Sequence, residues 1–181
     1  VNVPLEYVSA LSLLLFIYAA LRDIPSAEAA GYAFFAALVQ AIRLLRWRTL
    51  RVLDEPLVVV MHFAYGWFVA ALVLFGLEKS LPGFPPNMWL HAFTVGALGM
   101  MMLSLITRVA LRHTGRALKP AKAMILAFYI MFICAAVRVA VTAEILTLDW
   151  LSVSALIWIL SFLIYILLHG FFMVKASLPR S

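Results

Sequence analysis

The sequence predicts an all-α protein: a polytopic transmembrane bundle of six helical spans, one domain over residues 1–181, with both termini in the cytoplasm. Three observations carry this expectation. First, 66% of the 181 residues are hydrophobic and 12% are charged, with a mean hydropathy of +1.08. Soluble domains run at about 45–50% apolar and about 25% charged. Second, the apolar residues fall into six runs at about 4–21, 28–45, 57–77, 88–111, 121–143 and 150–174, lengths that suit a hydrocarbon core about 30 Å thick. Third, the basic residues alternate with the loops. Arg43, Arg46, Arg48, Arg51, Arg108, Arg112, Arg116, Lys119, Lys122, Lys175 and Arg180 fall on one side, and Arg22 and Lys79 on the other. That bias places both ends of the chain inside the cell. A net charge of +6 distributed in this way is a topology signal and points to no nucleic acid partner.

The first two spans carry no candidate chemistry. No basic segment with a cleavage site precedes the first, so no signal peptide is expected. The chain begins at Val1, which suggests a processed or partial protein. The third span contains His62. Its helical face continues through Gly66, Val69, Val73 and Gly76, all small or smooth, with Tyr65 and Trp67 alongside. Polar groups are costly in a bilayer, so each is a functional suspect. His62 reads either as an axial ligand to a haem lying on that face or as a histidine hydrogen-bonded to a neighbouring helix.

The loop to the fourth span is marked by Pro82, Pro85 and Pro86. The fourth span carries a histidine at each end, His91 and His113. Uniform α geometry puts them about 33 Å apart and within roughly 40° around the axis. Ala92, Gly96 and Gly99 form a small-residue strip that admits a neighbouring helix or a flat ligand. Trp89 reads as an interfacial anchor. Met100, Met101 and Met102 point about 100° apart, so they cannot all face one metal, and packing is the better reading. Arg108, Arg112 and Arg116 trail the span, where arginines snorkel, and Gly115 is placed to cap the helix.

Pro120 precedes the fifth span, which carries Cys134 and Arg138. Cys134 is the sole cysteine, so no intrachain disulfide forms. Arg138 can pair with Glu144, snorkel, or hold a haem propionate, which suits a guanidinium. In the sixth span His169 lies at a depth similar to His62, with Trp158, Phe162 and Tyr165 on its side. On geometry alone the two histidines can be paired across one haem. No C-x-x-C-H occurs, so covalent c-type attachment of a haem is excluded, and the haem expected is a non-covalent, b-type one. No phosphate-binding glycine motif and no HExxH occurs either.

Residues 91–116, HAFTVGALGMMMLSLITRVALRHTGR, resemble the signature segment of the NnrS family, and residues 55–67, EPLVVVMHFAYGW, resemble its histidine-bearing span. Thr107–Arg108 and His113–Arg116 are the most specific part. The resemblance covers nearly the whole chain. It implies a multi-pass protein of the bacterial inner membrane that binds haem and copper and takes part in the response to nitric oxide. It also implies that the chain corresponds to the C-terminal six of about twelve spans, with an N-terminal half or a second copy as partner. Carried over by position, His62, His91 and His113 match family histidines and are the implied metal ligands. Arg108 and Arg116 match the basic end of the signature. His169 matches nothing in it. Two other readings compete: half of a transporter or channel lined by Arg108 and Arg138, and an assembly subunit whose histidines only bond helix to helix.

Overall fold

The computed structural model describes residues 3–22, 24–47 and 51–175. Arg48 and Arg180 of the charge count above lie outside them. Six helices follow in order: α1 (Val3–Leu21), α2 (Ser26–Arg46), α3 (Pro56–Ser80), α4 (Met88–His113), α5 (Lys122–Thr142) and α6 (Asp149–Met173). Each is long and apolar enough to cross a membrane, and the described residues contain no strand. The expected all-α bundle of six spans is what the chain forms. Pro56 opens α3 at the first helical turn, where a missing N–H costs nothing.

α2 packs along α3, α5 along α6, and α1 against α2; α4 touches both α3 and α5. The core gathers where α3, α4 and α5 meet, around Leu57, Val60, Ala64, Met100, Leu103, Met124, Ala127 and Met131, and Tyr165 of α6 closes it. The outermost helices leave large apolar side chains uncovered, among them Leu11, Leu14 and Ile17 on α1 and Leu156, Ile159 and Ile166 on α6. An apolar exterior is what a lipid-solvated bundle presents. With no hydrophobic drive between helices, the contacts rest on close packing and interhelical hydrogen bonds.

Close packing is concentrated at two glycines. A methyl group at Gly96 would stand 2.6 Å from the Trp67 ring, and one at Gly76 would stand 2.7 Å from Phe34. The strip on α4 therefore serves as a seat for α3. α4 itself departs from the uniform helix assumed above. Residues Met88–His91 are α-helical, Ala92–Gly99 form a π-helix, and Met100–His113 return to α. Each i→i+5 turn takes up an additional residue. The rotation per residue falls, so the near-alignment of His91 and His113 reckoned at 100° per residue does not carry across this stretch.

The end of α4 is a Schellman motif. Gly115 has φ of +72°; the Arg116 N–H donates to the Leu111 carbonyl at 2.9 Å and the Gly115 N–H to Arg112 at 3.4 Å. The HTGR segment is thus, first, a helix stop. α5 ends in the same way but with Glu144 at φ of +59° in the glycine position. The two sites predict opposite effects. Gly115→Ala should lower stability by about 1 kcal/mol and Glu144→Gly should raise it by a similar amount, read as shifts of the thermal midpoint in detergent.

Candidate functional site

His62 lies on the second turn of α3 and is only 7% exposed. Its Nδ1 is 2.7 Å from the Val58 carbonyl oxygen. A carbonyl only accepts, so Nδ1 carries the proton and Nε2 presents a lone pair. Nε2 is buried and has no partner. A buried polar atom left this way costs about 1–3 kcal/mol, and such exceptions call for a cause. The arrangement is the one that metal-bound histidines use: the far nitrogen pinned by a backbone carbonyl, the near one free to donate. One turn further along the same face, the Cβ position of Gly66 has nothing within 4 Å. The Trp47 ring meets the imidazole edge-on, with centroids 5.2 Å apart and planes at 86°. An imidazole pinned in this way, with an open patch beside it, fits a flat, apolar macrocycle with an iron at its centre.

Around Trp47 runs a polar network that joins α1, α2 and α3. Arg43 donates from Nε to Glu6 at 3.2 Å and approaches its other oxygen at 2.8 Å from Nη2. Its Nη1 donates to the Tyr65 hydroxyl at 3.1 Å. Tyr65 in turn donates to Gln40 in a short hydrogen bond, and Ser9 donates to the same Gln40 oxygen at 3.1 Å. Gln40 and Ser12 are fully covered. This network was not among the expected site residues. Its signal was present in the sequence as serine and glutamine inside apolar runs, the residues that join helices in lipid.

The remaining candidates scatter. His91 closes the first α-helical segment of α4 and is partly buried. It is within electrostatic range of Arg138, which sits one turn before the end of α5. Arg138 does not pair with Glu144. Its Nη1 donates to the Ser154 hydroxyl at 3.1 Å and lies 3.5 Å from the Leu151 carbonyl. His113 and Arg108 are exposed at the other end of α4, where they line a hollow of about 330 Å³ with Arg112. Arg116 lies over the Phe172 ring at 3.7 Å, and Phe172 touches His169. His169 is buried, stacks on Tyr165 at 4.9 Å and holds its carbonyl through Nδ1 at 3.1 Å.

His62 and His169 have different ring partners, and α4 packs against both α3 and α6. The structure shows no ring contact between the two. Nor does it set His62 beside Arg138: the first lies in the early turns of α3 and the second in the late turns of α5, facing α6. Among the described residues no three of His, Cys, Asp and Glu converge as a metal-holding group. Met100 is buried and Met102 is 54% exposed, so the methionine run divides between core and lipid. Among the described residues, then, no such group of three is assembled, and the imidazole nitrogen that is buried without a partner is Nε2 of His62.

A family model described as NnrS protein matches residues 2–176. No curated protein and no solved structure matches the chain.

Proposed function

The chain belongs to the NnrS family, and from that premise we propose that this multi-pass membrane protein binds a b-type haem through His62 and serves the bacterial inner-membrane response to nitric oxide. One observation carries the proposal: the buried, unpartnered Nε2 of an imidazole whose other nitrogen is fixed on Val58. Haem iron, when bound, supplies reversible capture of a diatomic gas and one-electron chemistry. The protein's share is to hold the ring. Val58 fixes the tautomer, so Nε2 does not have to give up a proton before it donates. Trp47 and the Arg43–Tyr65 pair wall the site off toward the basic end of the bundle. Exclusion of water there keeps the pocket apolar.

Arg108, Arg116 and His113 lie at the same end of the bundle as His62 and are proposed as anchors for the polar edge of the cofactor. His91 belongs to the opposite end, where a metal it bound would need ligands beyond the described residues, from an N-terminal half or a second copy. Copper, which the family resemblance implies, is placed there only in that sense.

The open patch at Gly66 supplies the test. Gly66→Leu adds bulk where nothing stands within 4 Å, so the fold should tolerate it, while a macrocycle on that face should not. The expected result is a loss of at least about tenfold in haem per protein, with the thermal midpoint unchanged or raised, because glycine is the poorer helix former by about 1 kcal/mol. Full haem content in Gly66→Leu would move the cofactor off this face.

A further inference from the structure

A second site stands at the other end of the bundle, and it rests on different residues. Between α4, α5 and α6 lies a cavity of about 320 Å³ bounded in part by Cys134, Arg138 and Ser154. Its outer wall is Ala155, Trp158 and Ile159, all of them exposed on the lipid-facing side of α6. The guanidinium at its head is only half used. Nη1 is taken by the Ser154 hydroxyl and the Leu151 carbonyl, whereas Nε is buried with no acceptor. Among the described residues no carboxylate meets it, and Nη2 makes no hydrogen bond. The Nε–Nη2 edge is the side of arginine that takes two oxygens of one carboxylate or phosphate. Arg138 is thus a partly buried cation whose covered Nε has no acceptor and which no carboxylate of the described residues meets.

We propose that Arg138 binds the oxyanion head of an amphiphile that enters from the bilayer, with the head across Nε and Nη2 and the chain along Trp158 and Ile159. The depth agrees. Arg138 is four residues from the end of α5 at Thr142, about 6 Å along the axis, which is the level where head groups begin. The Ser154 hydroxyl holds the guanidinium through Nη1 at the wall of the cavity, and it donates in turn to Leu151 at 2.9 Å. The shared chemistry is one oxyanion on an apolar body; a phospholipid phosphodiester and a fatty carboxylate both present it.

Native mass spectrometry of the purified chain in neutral detergent tests this. The probes are phosphatidylglycerol, oleate, inorganic phosphate and monoolein, an uncharged ester of the same chain. Saturable one-to-one binding is expected for phosphatidylglycerol, oleate or both, and whichever binds names the head group. Phosphate and monoolein should bind at least tenfold more weakly. Arg138→Gln should lose at least tenfold in affinity, and Arg138→Lys, which keeps the charge but not the fork, should lose nearly as much. Trp158→Ala should weaken the amphiphile and leave phosphate unchanged. Arg138→Gln should retain its haem. Equal binding of monoolein, equal binding of phosphate, or wild-type affinity in either Arg138 variant would overturn the proposal. Loss of haem from Arg138→Gln would overturn it too, because the guanidinium would then be serving a propionate.

Discussion

His62→Ala is expected to reduce haem per protein by at least about tenfold while the bundle stays folded. The size follows from comparison. Removing a group that merely orients a metal ligand costs about 10–100-fold, and here the ligand itself is lost. The mild effect on folding follows from the same geometry. Nε2 makes no hydrogen bond that alanine would forfeit, and the bond from Nδ1 to Val58 is worth about 1 kcal/mol. His62→Gly should regain its Soret absorbance when imidazole is added, since the vacancy has the size of the missing ring. Alanine at His169 gives the contrast. That ring is stacked on Tyr165 and bonded to its carbonyl, so its loss should lower stability and leave haem content close to wild type. The assay is the pyridine haemochrome yield per protein for each variant.

Gly96→Leu is expected to have the largest effect on the fold, about 3 kcal/mol of destabilisation. Even a single methyl group would meet Cβ, Cγ and Cδ2 of Trp67 within 2.9 Å. These atoms lie at the root of the side chain, so no rotamer change removes the clash, and α3 and α4 would have to part. Overpacking of this kind costs about 1–3 kcal/mol for small insertions. Gly66→Ala is the internal control. Nothing stands near its Cβ position, so its midpoint should not fall. Thermal unfolding of the detergent-solubilised chain separates the two. A Gly96→Leu protein as stable as the parent would mean that α3 and α4 are not seated through this glycine.

What could be read ahead of the structure follows from the physics of lipid. The six spans are legible because composition and length decide them, and the observed bounds depart by only a few residues, with α3 extending to Ser80. The rotation of each helix was not legible. Core and exterior are both apolar, so no polar face tells which side of a span turns inward. That is why the Gly96 strip read as admitting either a neighbouring helix or a flat ligand and proved to seat Trp67, and why Arg138 read as pairing with Glu144, snorkelling or holding a propionate and proved to bond α6. His62 was legible because an imidazole deep in an apolar run is conspicuous whichever way it turns. Its free nitrogen was not, since that depends on the Val58 carbonyl and the position of Trp47. The π-helix at Ala92–Gly99 has no sequence signature of its own. It arises where α4 must fit against both α3 and α5.

The central claim is that an imidazole in the membrane is kept unpaired to hold iron. It is tested most directly by the visible spectrum of the chain purified from haem-replete cells, taken before and after nitric oxide is added. A Soret band that shifts with the gas and is lost in His62→Ala is the predicted result. A colourless protein, or a band equally strong without His62, would contradict it.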